Sequence, residues 1–509
     1  MTIKVYDWLA HHAMFRGEHT ALIDLASDRR FSYIETNERT GRLASWLSRD
    51  LGVQKGDRVA VLAPNTTDVV EIQFACAKLG AVMVPLNWRL TVSELSFITS
   101  DSTPKVIVHG SEFADTARAV AEKVGIPHIV ETTCDGGDSP YERGIASQTE
   151  PTPMTELTHD DLWTIMYTSG TTGLPKGAMI THGMTFWNTV NLGSPHRITP
   201  DSVQLTVLPL FHTGGLNCYT NPVMHAGGTV LIMRTFDPMT GLKLLGDPEL
   251  GITHFFGVPA NYQFMAQLDE FPDTDLSRVQ VAGVGGAPVP VSLLETWAAR
   301  GLGLAQGFGM TETSPTVLVL DAGDAMTRPG SAGKPALHNQ VRIVDENGND
   351  LPVGEIGELW CKGPNITPGY WNRPEATEAA IQDGWLNTGD ASRCDADGFY
   401  FIVDRTKDMY ISGGENVYPA EVENVIYRLD QIAEAAVIGL PDDKWGEIGC
   451  AVIVLKKGAE LSADALTAYC REHLATFKVP RRVEFVQTLP RNATGKVLKR
   501  TLRDDFAAA

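Results

Sequence analysis

A loop rich in glycine and hydroxyl residues follows an apolar segment, and its composition suits phosphate binding. The apolar stretch 162–167 leads into Tyr-Thr-Ser-Gly-Thr-Thr-Gly-Leu-Pro-Lys-Gly, residues 167–177. Glycines let the backbone approach phosphate oxygens, hydroxyl groups donate hydrogen bonds, and Lys176 supplies positive charge. The loop lacks the Gly-Lys-Ser/Thr ending of the common P-loop, because Pro175 precedes the lysine and Gly177 follows it. The sequence therefore predicts a triphosphate-binding loop of a different kind.

The last part of the chain is basic, although the protein as a whole is acidic. The formal net charge is −20, whereas residues 471–503 contain nine Lys or Arg against two Glu. The acidic balance argues against nucleic acid or an anionic membrane as a partner, because both attract basic surfaces. The local basic excess fits either a solvated surface or a site for a polyanionic small molecule.

The first 400 residues have the pattern of an α/β fold that could carry these groups. Ser32 and Glu35 have the spacing of a capping box, which predicts a helix that begins near Tyr33. Short apolar runs alternate with helical segments and predict buried strands in largely parallel sheets flanked by helices. The predicted strands are 59–62, 81–85, 162–167, 203–208, 229–233 and 279–283.

A second domain is predicted after about residue 405, where the pattern changes. Pro419 suits the first turn of a helix, and Ser462 suits the position before another. Strands are predicted at 435–438, 451–455 and 482–486. About 100 residues are enough for a small α+β domain. We therefore predict a large N-terminal domain, 1–406, and a small C-terminal domain, 407–509.

Length and cysteine usage suit a large intracellular enzyme. A chain of 509 residues exceeds what one hydrophobic core usually supports, so at least two domains are expected. The seven cysteines are scattered and form no Cys-x-x-Cys pair, so we expect reduced thiols. The amino terminus lacks the pattern of a secretory signal, and no stretch is long enough to span a bilayer. We expect a cytoplasmic protein.

The phosphate-binding loop resembles the signature loop of the adenylate-forming superfamily, which includes acyl- and aryl-CoA ligases, firefly-type luciferases and the adenylation domains of peptide synthetases. Further segments match the motifs of that superfamily in the expected order: Pro209–Gly215, Gly285–Pro288, Gln306–Thr313, Asn387–Asp390, Asp404–Lys407, Ile411–Asn416 and Pro490–Lys496. The match extends over nearly the whole chain and is closest to bacterial fatty-acid or aryl-acid CoA ligases.

The resemblance implies a site for ATP and Mg²⁺. Thr168 and Glu312 would hold Mg²⁺, which prefers oxygen ligands, and Asp390 would accept from the ribose hydroxyls with Arg405 beside it. Phe308 stands where the family often has tyrosine, so it keeps the face that stacks on adenine and loses the hydroxyl. The implied nucleotide-binding set is Thr168, Ser169, Gly170, Thr171, Thr172, Gly173, Lys176, Gly286, Ala287, Phe308, Gly309, Met310, Thr311, Asp390, Arg405 and Lys496.

Lys496 resembles the mobile lysine with which the family joins a carboxylate to the α-phosphate. A lysine there offsets the charge that builds up at phosphorus, and Glu312 and Thr311 complete the implied catalytic set. Lys407 matches the hinge about which the small domain rotates between two half reactions. The rotation would withdraw Lys496 and bring the Gly413-Gly414 turn to the site.

Coenzyme A is the acceptor that the resemblance favours. The implied CoA contacts are Arg89, Gly413, Gly414, Trp445 and Phe477. Val479 stands where some relatives have a basic residue, which removes one phosphate contact. The acceptor could instead be a carrier protein, or oxygen in a luciferase-like reaction. A non-catalytic nucleotide-binding protein is a further alternative, and the glycines at 283–286 have the wrong spacing for a dehydrogenase.

The acid would bind near residues that match the family's acyl pocket. They are Trp187, His212, Asn217, Val258, Gly285 and Met310, with Phe255 and Ser314 nearby. Their mixed, partly aromatic character suits a medium- or long-chain fatty acid or an aryl acid. His212 resembles part of the pocket wall, so we assign it positioning rather than proton transfer. A homodimer is the commonest soluble assembly and is a possible state of this protein.

Overall fold

Two mostly parallel sheets form the body of the large domain, as the sequence predicts. The computed structural model describes residues 3–168, 175–405, 408–442, 444–492 and 495–507. One sheet has nine strands in the order Lys334–Pro335, Thr316–Val319, Leu304–Gly309, Val281–Val284, His254–Gly257, Val203–Thr206, Thr229–Ile232, Thr20–Asp24 and Arg29–Ser32. The other has six, in the order His128–Thr132, Val106–Gly110, Arg58–Leu62, Val82–Pro85, Leu162–Thr168 and Lys176–Thr181. Strands at the sheet edges run antiparallel to the rest.

Two helices lie between the sheets, Tyr33–Arg49 and Thr67–Leu79, and their apolar side chains join both sheets into one core. The predicted capping box at Ser32 is confirmed, because Glu35 N–H donates to the Ser32 hydroxyl and Ser32 N–H donates to the Glu35 carboxylate. The other helices of the large domain are Trp8–Arg16, Val92–Ser102, Ala114–Val124, Pro140–Ala146, His182–Gly193, Asn221–Ala226, Pro238–Leu245, Pro259–Ala266, Val291–Ala298 and Pro374–Ala380.

Charged groups on the helix Thr67–Leu79 are buried, and their partners compensate them. Arg39 donates to Glu71 at 2.6 Å, and the Tyr141 hydroxyl donates to the same carboxylate at 2.9 Å. Because both Glu71 oxygens have donors, its charge lies in the core without a missing partner.

A third sheet in the large domain is antiparallel, which the sequence pattern did not predict. Its strands are Gln340–Val344, Gly357–Lys362, Ile381–Gln382, Trp385–Cys394 and Tyr400–Arg405. The strands Trp385–Cys394 and Tyr400–Arg405 are joined by a short connection, which suits an antiparallel pair because a parallel pair would need a long crossover. This sheet carries Asp390 and Arg405.

The C-terminal domain is α+β, as predicted. Its sheet has the strand order Glu415–Val417, Tyr410–Ser412, Gly446–Leu455 and Ile432–Asp442, with Arg482–Phe485 parallel to Gly446–Leu455. The helices are Pro419–Ile426, Ala463–His473 and Lys499–Ala507. The boundary proposed between residues 406 and 407 stays a prediction, since those two residues lie outside the described ranges.

Asp404 joins the antiparallel sheet to the C-terminal domain. Its buried carboxylate accepts a hydrogen bond of 2.9 Å from Ala420 N–H, in the first turn of the helix Pro419–Ile426. A carboxylate at a helix amino terminus is stabilised by the unpaired N–H groups there. The contact ties the two domains together in the observed orientation.

The seven cysteines are free thiols, as expected from their spacing. Within the described ranges, none of the helices combines the length and hydrophobicity that crossing a membrane requires.

Candidate active site

The predicted site residues gather at the carboxyl ends of the parallel strands. Val258 follows the strand His254–Gly257, Gly285 follows Val281–Val284, and Met310 follows Leu304–Gly309. From the other sheet, Thr168 ends the strand Leu162–Thr168. Parallel α/β sheets bind ligands at this edge, where the loops of several strands meet.

A cavity of about 800 Å³ lies between this edge and the C-terminal domain. Predicted residues from both domains line it: Val258, Gly285, Gly286, Ala287, Phe308, Gly309, Asp390, Arg405, Phe477 and Lys496. The volume is within the range of small-molecule sites, and both polar and apolar groups face it. The structure thus brings the predicted adenine and ribose contacts together with the predicted catalytic lysine.

Two glycines are required in the cavity wall that follows the strand Val281–Val284. A Cβ at Gly285 would lie 2.9 Å from the Gly307 carbonyl oxygen of the adjacent strand, which is too close. Gly286 has a φ of +80°, a conformation that side chains disfavour. Main chain rather than side chain therefore forms this wall of the cavity.

Asp390 and Arg405 face each other on neighbouring strands. They are register partners, and Arg405 Nε donates to Asp390 Oδ1 at 2.9 Å. Asp390 is buried, while Arg405 is partly exposed to the cavity. The pair offers a carboxylate and a guanidinium side by side, which suits a ribose next to a phosphate.

Tyr370 lies between the two charges predicted to hold the triphosphate and its metal. Its hydroxyl donates to Glu312 Oε1 at 2.8 Å, and Lys176 Nζ lies 5.3 Å from the centre of its ring. Burial and the Glu312 charge raise the pKa of Tyr370, while Arg405 opposes the shift, so the phenol stays protonated and donates. Glu312 is itself buried in the turn Thr311–Thr313.

Lys496 lies in a tight turn that its neighbours hold in shape. Lys496 N–H donates to Asn492 Oδ1 at 2.9 Å, and Asn492 N–H donates back to the Lys496 carbonyl at 2.8 Å. Gly495 has a φ of +84°, and a Cβ at this position would lie 3.2 Å from Val258 of the large domain. Lys496 lines the 800 Å³ cavity together with Asp390 and Arg405.

His212 is held as a neutral acceptor beside Lys496. Its Nδ1 accepts from Gly214 N–H at 3.0 Å. Burial, assisted by the Lys496 charge, lowers the pKa of His212 to about 4. A histidine that is neutral at physiological pH and already bonded at Nδ1 suits a positioning role, as predicted.

We expect His212→Gln to leave the pH profile of adenylation unchanged. The glutamine amide oxygen can still accept a hydrogen bond, and His212 is already neutral throughout the interval from about pH 5.5 to pH 8. The rate of pyrophosphate exchange into ATP should fall by less than about tenfold at every pH in this range. If the fall in exchange rate at acidic pH disappears from the pH profile of the variant, His212 transfers a proton.

Two contacts involve predicted acyl-pocket residues, and the prediction for one further residue, Phe255, is wrong. Asn217 donates to the Ser314 hydroxyl at 3.2 Å, and the Trp187 ring lies 4.8 Å from that of His338. Phe255 does not face this region: it is fully buried against Tyr262 on the opposite face of its strand. Because side chains alternate along a strand, its neighbour Phe256 faces the site, next to Tyr219 and Gly285.

The predicted CoA residues are spread over three places in this orientation. Gly413 donates its N–H to the Trp445 carbonyl at 2.8 Å, and a Cβ at Gly413 would lie 3.0 Å from the Trp445 ring. Gly414 completes this turn with a φ of +88°. Phe477 lines the 800 Å³ cavity instead, and Arg89 lies on the large domain.

Arg89 lines a second, smaller cavity of about 370 Å³ next to the first. Arg234 and Arg491 share this cavity, and no Asp or Glu lines it within the described part of the chain. The Arg89 guanidinium stacks 4.0 Å from the centre of the Trp88 ring, and Arg234 donates to the Cys134 carbonyl at 2.7 Å. Arg491 is paired with Glu434, so Arg89 and Arg234 are the two guanidinium groups that make this cavity attractive to phosphates.

Part of the prediction lies outside the described residues: Ser169, Gly170, Thr171, Thr172, Gly173 and the hinge Lys407. Thr168 and Lys176, at the two ends of the phosphate loop, are paired on antiparallel strands. Among the described residues, no group of three or more His, Cys, Asp or Glu could hold a metal ion. A cation here would need phosphate oxygens as well as Glu312 and Thr168.

Two residues of the site escaped the sequence analysis, Tyr370 and Arg234. Arg234 could have been found, because it follows the predicted strand 229–233 at the carboxyl end where ligands bind. Tyr370 follows Gly369 in an irregular segment, and nothing in its spacing marks it.

Family models for two domains match this chain. The model described as AMP-binding enzyme matches residues 9–371, and the AMP-binding enzyme C-terminal domain matches residues 421–496. A feruloyl-CoA synthase from Amycolatopsis sp is 43% identical over 93% of this chain and 94% of its own length. A long-chain-fatty-acid–CoA ligase from Mycobacterium tuberculosis is 39% identical over 96% of this chain and 95% of its own.

Solved structures of CoA ligases and related enzymes superpose on nearly the whole chain. ATP-bound MatB from Rhodopseudomonas palustris superposes with a TM-score of 0.91 at 33% identity, covering 98% of this chain and 99% of that one. Apo MatB from the same organism superposes with a TM-score of 0.80 at 33% identity, covering 99% of each chain. The whole-chain superposition is therefore better with ATP-bound MatB than with apo MatB.

Proposed function

The chain belongs to the AMP-binding enzyme family, and from this premise we propose that it is an ATP-dependent acid:CoA ligase. In the first half reaction a carboxylate oxygen attacks the α-phosphorus of ATP, and the bond to pyrophosphate breaks. In the second, the CoA thiol attacks the acyl carbon and AMP leaves. The observation that carries the proposal is Lys496 of the small domain facing the same cavity as the Asp390–Arg405 pair.

Adenylation requires two anions to meet, and the site supplies compensating groups. Asp390 accepts from the ribose, and the walls at Gly286 and Phe308 hold the adenine. Lys496 binds both the incoming carboxylate and the α-phosphate, while Lys176 and Thr311 bind phosphate oxygens. Preorganised positive charge of this kind stabilises the charge that develops in the transition state.

Mg²⁺ fits the donor set of the site. Glu312 offers a carboxylate fixed by Tyr370, and Thr168 offers a hydroxyl at the end of its strand. One carboxylate with phosphate oxygens is a common environment for Mg²⁺ in nucleotide sites. When bound, the ion neutralises charge on the phosphate oxygens.

For the second half reaction we propose that the small domain rotates near Lys407. The rotation withdraws Lys496 and brings the turn Gly413-Gly414, with Trp445 behind it, to the site. Arg89 and Arg234 belong to the large domain, so they remain in place to bind the CoA phosphates. The dispersed CoA residues of the observed orientation support such a change.

The acid is an aryl acid or a medium- to long-chain fatty acid in this proposal. Trp187, Phe256 and Met310 provide apolar surface for such an acid. Relatives named for both acid classes leave the choice between them to experiment.

A screen of acids tests the proposed function directly. The purified protein is incubated with ATP, Mg²⁺ and short, medium, long or aromatic acids, with and without CoA, and pyrophosphate, AMP and thioester are measured. We expect pyrophosphate exchange with some acids and AMP release only when CoA is present. Acyl adenylate that persists with CoA would favour a carrier protein or oxygen as acceptor, and no exchange with any acid would favour a binding protein.

We expect Arg234→Met to weaken the binding of CoA without affecting adenylation. Loss of one guanidinium–phosphate contact should raise KM for CoA by about tenfold and leave pyrophosphate exchange within about twofold of the wild type. Pantetheine lacks the nucleotide phosphates, so the variant should use it as well as the wild type does. An equal loss with CoA and pantetheine would contradict a phosphate contact.

The cytoplasm is the proposed location, in agreement with the reduced thiols. A homodimer remains a prediction.

A further inference from the structure

Tyr370 contacts two groups of opposite charge with two different parts of its side chain. The hydroxyl bonds to the Glu312 carboxylate at 2.8 Å, and the ring lies 5.3 Å from the Lys176 ammonium. A phenol hydroxyl is a good donor to a carboxylate, and the face of an aromatic ring attracts a cation. Each charge therefore has a partner on the tyrosine.

Lys176 and Glu312 do not pair with each other. No ion pair within 4.0 Å joins Lys176 to any acidic residue in the part of the chain that the structure describes. Yet the two belong to adjacent elements, because the strand Lys176–Thr181 contacts the turn Thr311–Thr313. Opposite charges on adjacent elements attract each other, and each of these two charges contacts Tyr370 instead.

The backbone around Tyr370 fixes it in place. Tyr370 N–H donates to the Thr377 hydroxyl at 2.9 Å, and Trp371 N–H donates to the Gly177 carbonyl at 2.8 Å. The Trp371 indole donates to the Asp101 carbonyl at 3.1 Å. The tyrosine is thus attached to the same strand that carries Lys176, and its position relative to the lysine is set by main-chain bonds.

We infer that Tyr370 is a positioning residue that keeps Lys176 and Glu312 apart, so that the lysine is available to phosphate and the carboxylate to the metal. The inference rests on the proposed function. Without the tyrosine, the lysine and the carboxylate form a direct ion pair, and ATP must break that pair before it binds. The hydroxyl serves the carboxylate and the ring serves the lysine, so the two parts can be tested separately.

ATP affinity, measured by calorimetry with Mg²⁺ and with EDTA, separates the two parts. Tyr370→Phe keeps the ring, so we expect ATP affinity in EDTA within about twofold of the wild type and about tenfold weaker affinity in Mg²⁺. Tyr370→Leu removes both the ring and the hydroxyl that keep Lys176 and Glu312 apart, so we expect ATP affinity to be about tenfold weaker both in Mg²⁺ and in EDTA. Tyr141→Phe is the matched control: it removes a hydroxyl–carboxylate bond of 2.9 Å to Glu71, away from the cavity, and should not change ATP affinity.

A double variant distinguishes separation of charges from a merely structural effect. In Tyr370→Leu/Glu312→Gln the carboxylate can no longer capture Lys176, so ATP affinity in EDTA should recover to within about threefold of Glu312→Gln alone. No recovery, or full affinity in Tyr370→Leu, would overturn the inference. If Tyr370→Leu does not fold, equal affinity loss in EDTA and Mg²⁺ for Tyr370→Phe would overturn it. A wild type that binds no ATP would refute the proposed function instead.

Discussion

Replacement of Lys496 by alanine should slow adenylation by about 10²–10³-fold while sparing thioester formation. The lysine faces the cavity that holds the predicted nucleotide contacts, and its charge compensates that of the reacting carboxylate and phosphate. Loss of one such group costs about 10²–10³-fold in rate. Pyrophosphate exchange should fall by that factor, whereas preformed acyl adenylate and CoA should still give thioester at a rate within about threefold of the wild type, because the proposed rotation withdraws the lysine.

Arg500→Ala provides the control for this experiment. Arg500 lies in the same basic segment but is exposed, so its loss changes the local charge equally and should alter neither half reaction. Equal loss of both half reactions in Lys496→Ala would contradict two domain orientations. Retention of exchange would remove Lys496 from the catalytic set.

The second large effect is expected for Glu312→Gln. Glutamine is nearly isosteric and can still accept from Tyr370, so the turn Thr311–Thr313 should keep its shape. The amide cannot replace a carboxylate as a ligand of Mg²⁺, and adenylation should slow by about 10²–10³-fold. The Mg²⁺ concentration needed for half-maximal pyrophosphate exchange should rise by about tenfold or more.

The exposed Glu346 offers a matched substitution. Glu346→Gln removes one negative charge from a surface turn and should leave both the rate and the Mg²⁺ requirement unchanged. If Glu312→Gln lowers the rate but not the Mg²⁺ requirement, Glu312 is not a metal ligand.

The fold was predictable where local patterns decide it. The helix Tyr33–Arg49 and the helix that follows Ser462 begin where capping residues place them, and the buried parallel strands occur at the apolar runs. The antiparallel sheet of residues 340–405 was missed. Strands that alternate with helices indicate a parallel sheet, but most of this segment consists of strands without intervening helices, so that pattern gives no strand direction. Pairing between distant segments is set by packing rather than by local sequence.

The site was predictable as a set of motifs but not as a set of contacts. Asp390 and Arg405 were expected near each other, and their register confirms it. The sequence analysis assigned Phe255 to the pocket, whereas its neighbour Phe256 faces it. Which of two adjacent side chains faces the core depends on the strand register. Tyr370 was missed because its role depends on two partners that are distant in the sequence. Glu312 lies 58 residues before it, and Lys176 lies at the end of the phosphate loop.

The hydrogen bond from Ala420 to Asp404 contributes to the equilibrium between the two proposed orientations. A carboxylate at a helix terminus contributes about 0.5–2 kcal/mol, which corresponds to a population ratio of about 2 to 30. Rotation at residue 407 would carry the helix Pro419–Ile426 away from Asp404 and forfeit that bias. A ligand needs only a comparable preference for the other orientation to reverse the populations. In the proposed reaction, departure of pyrophosphate and arrival of CoA would offset this hydrogen bond if together they favour the second orientation by a similar free energy.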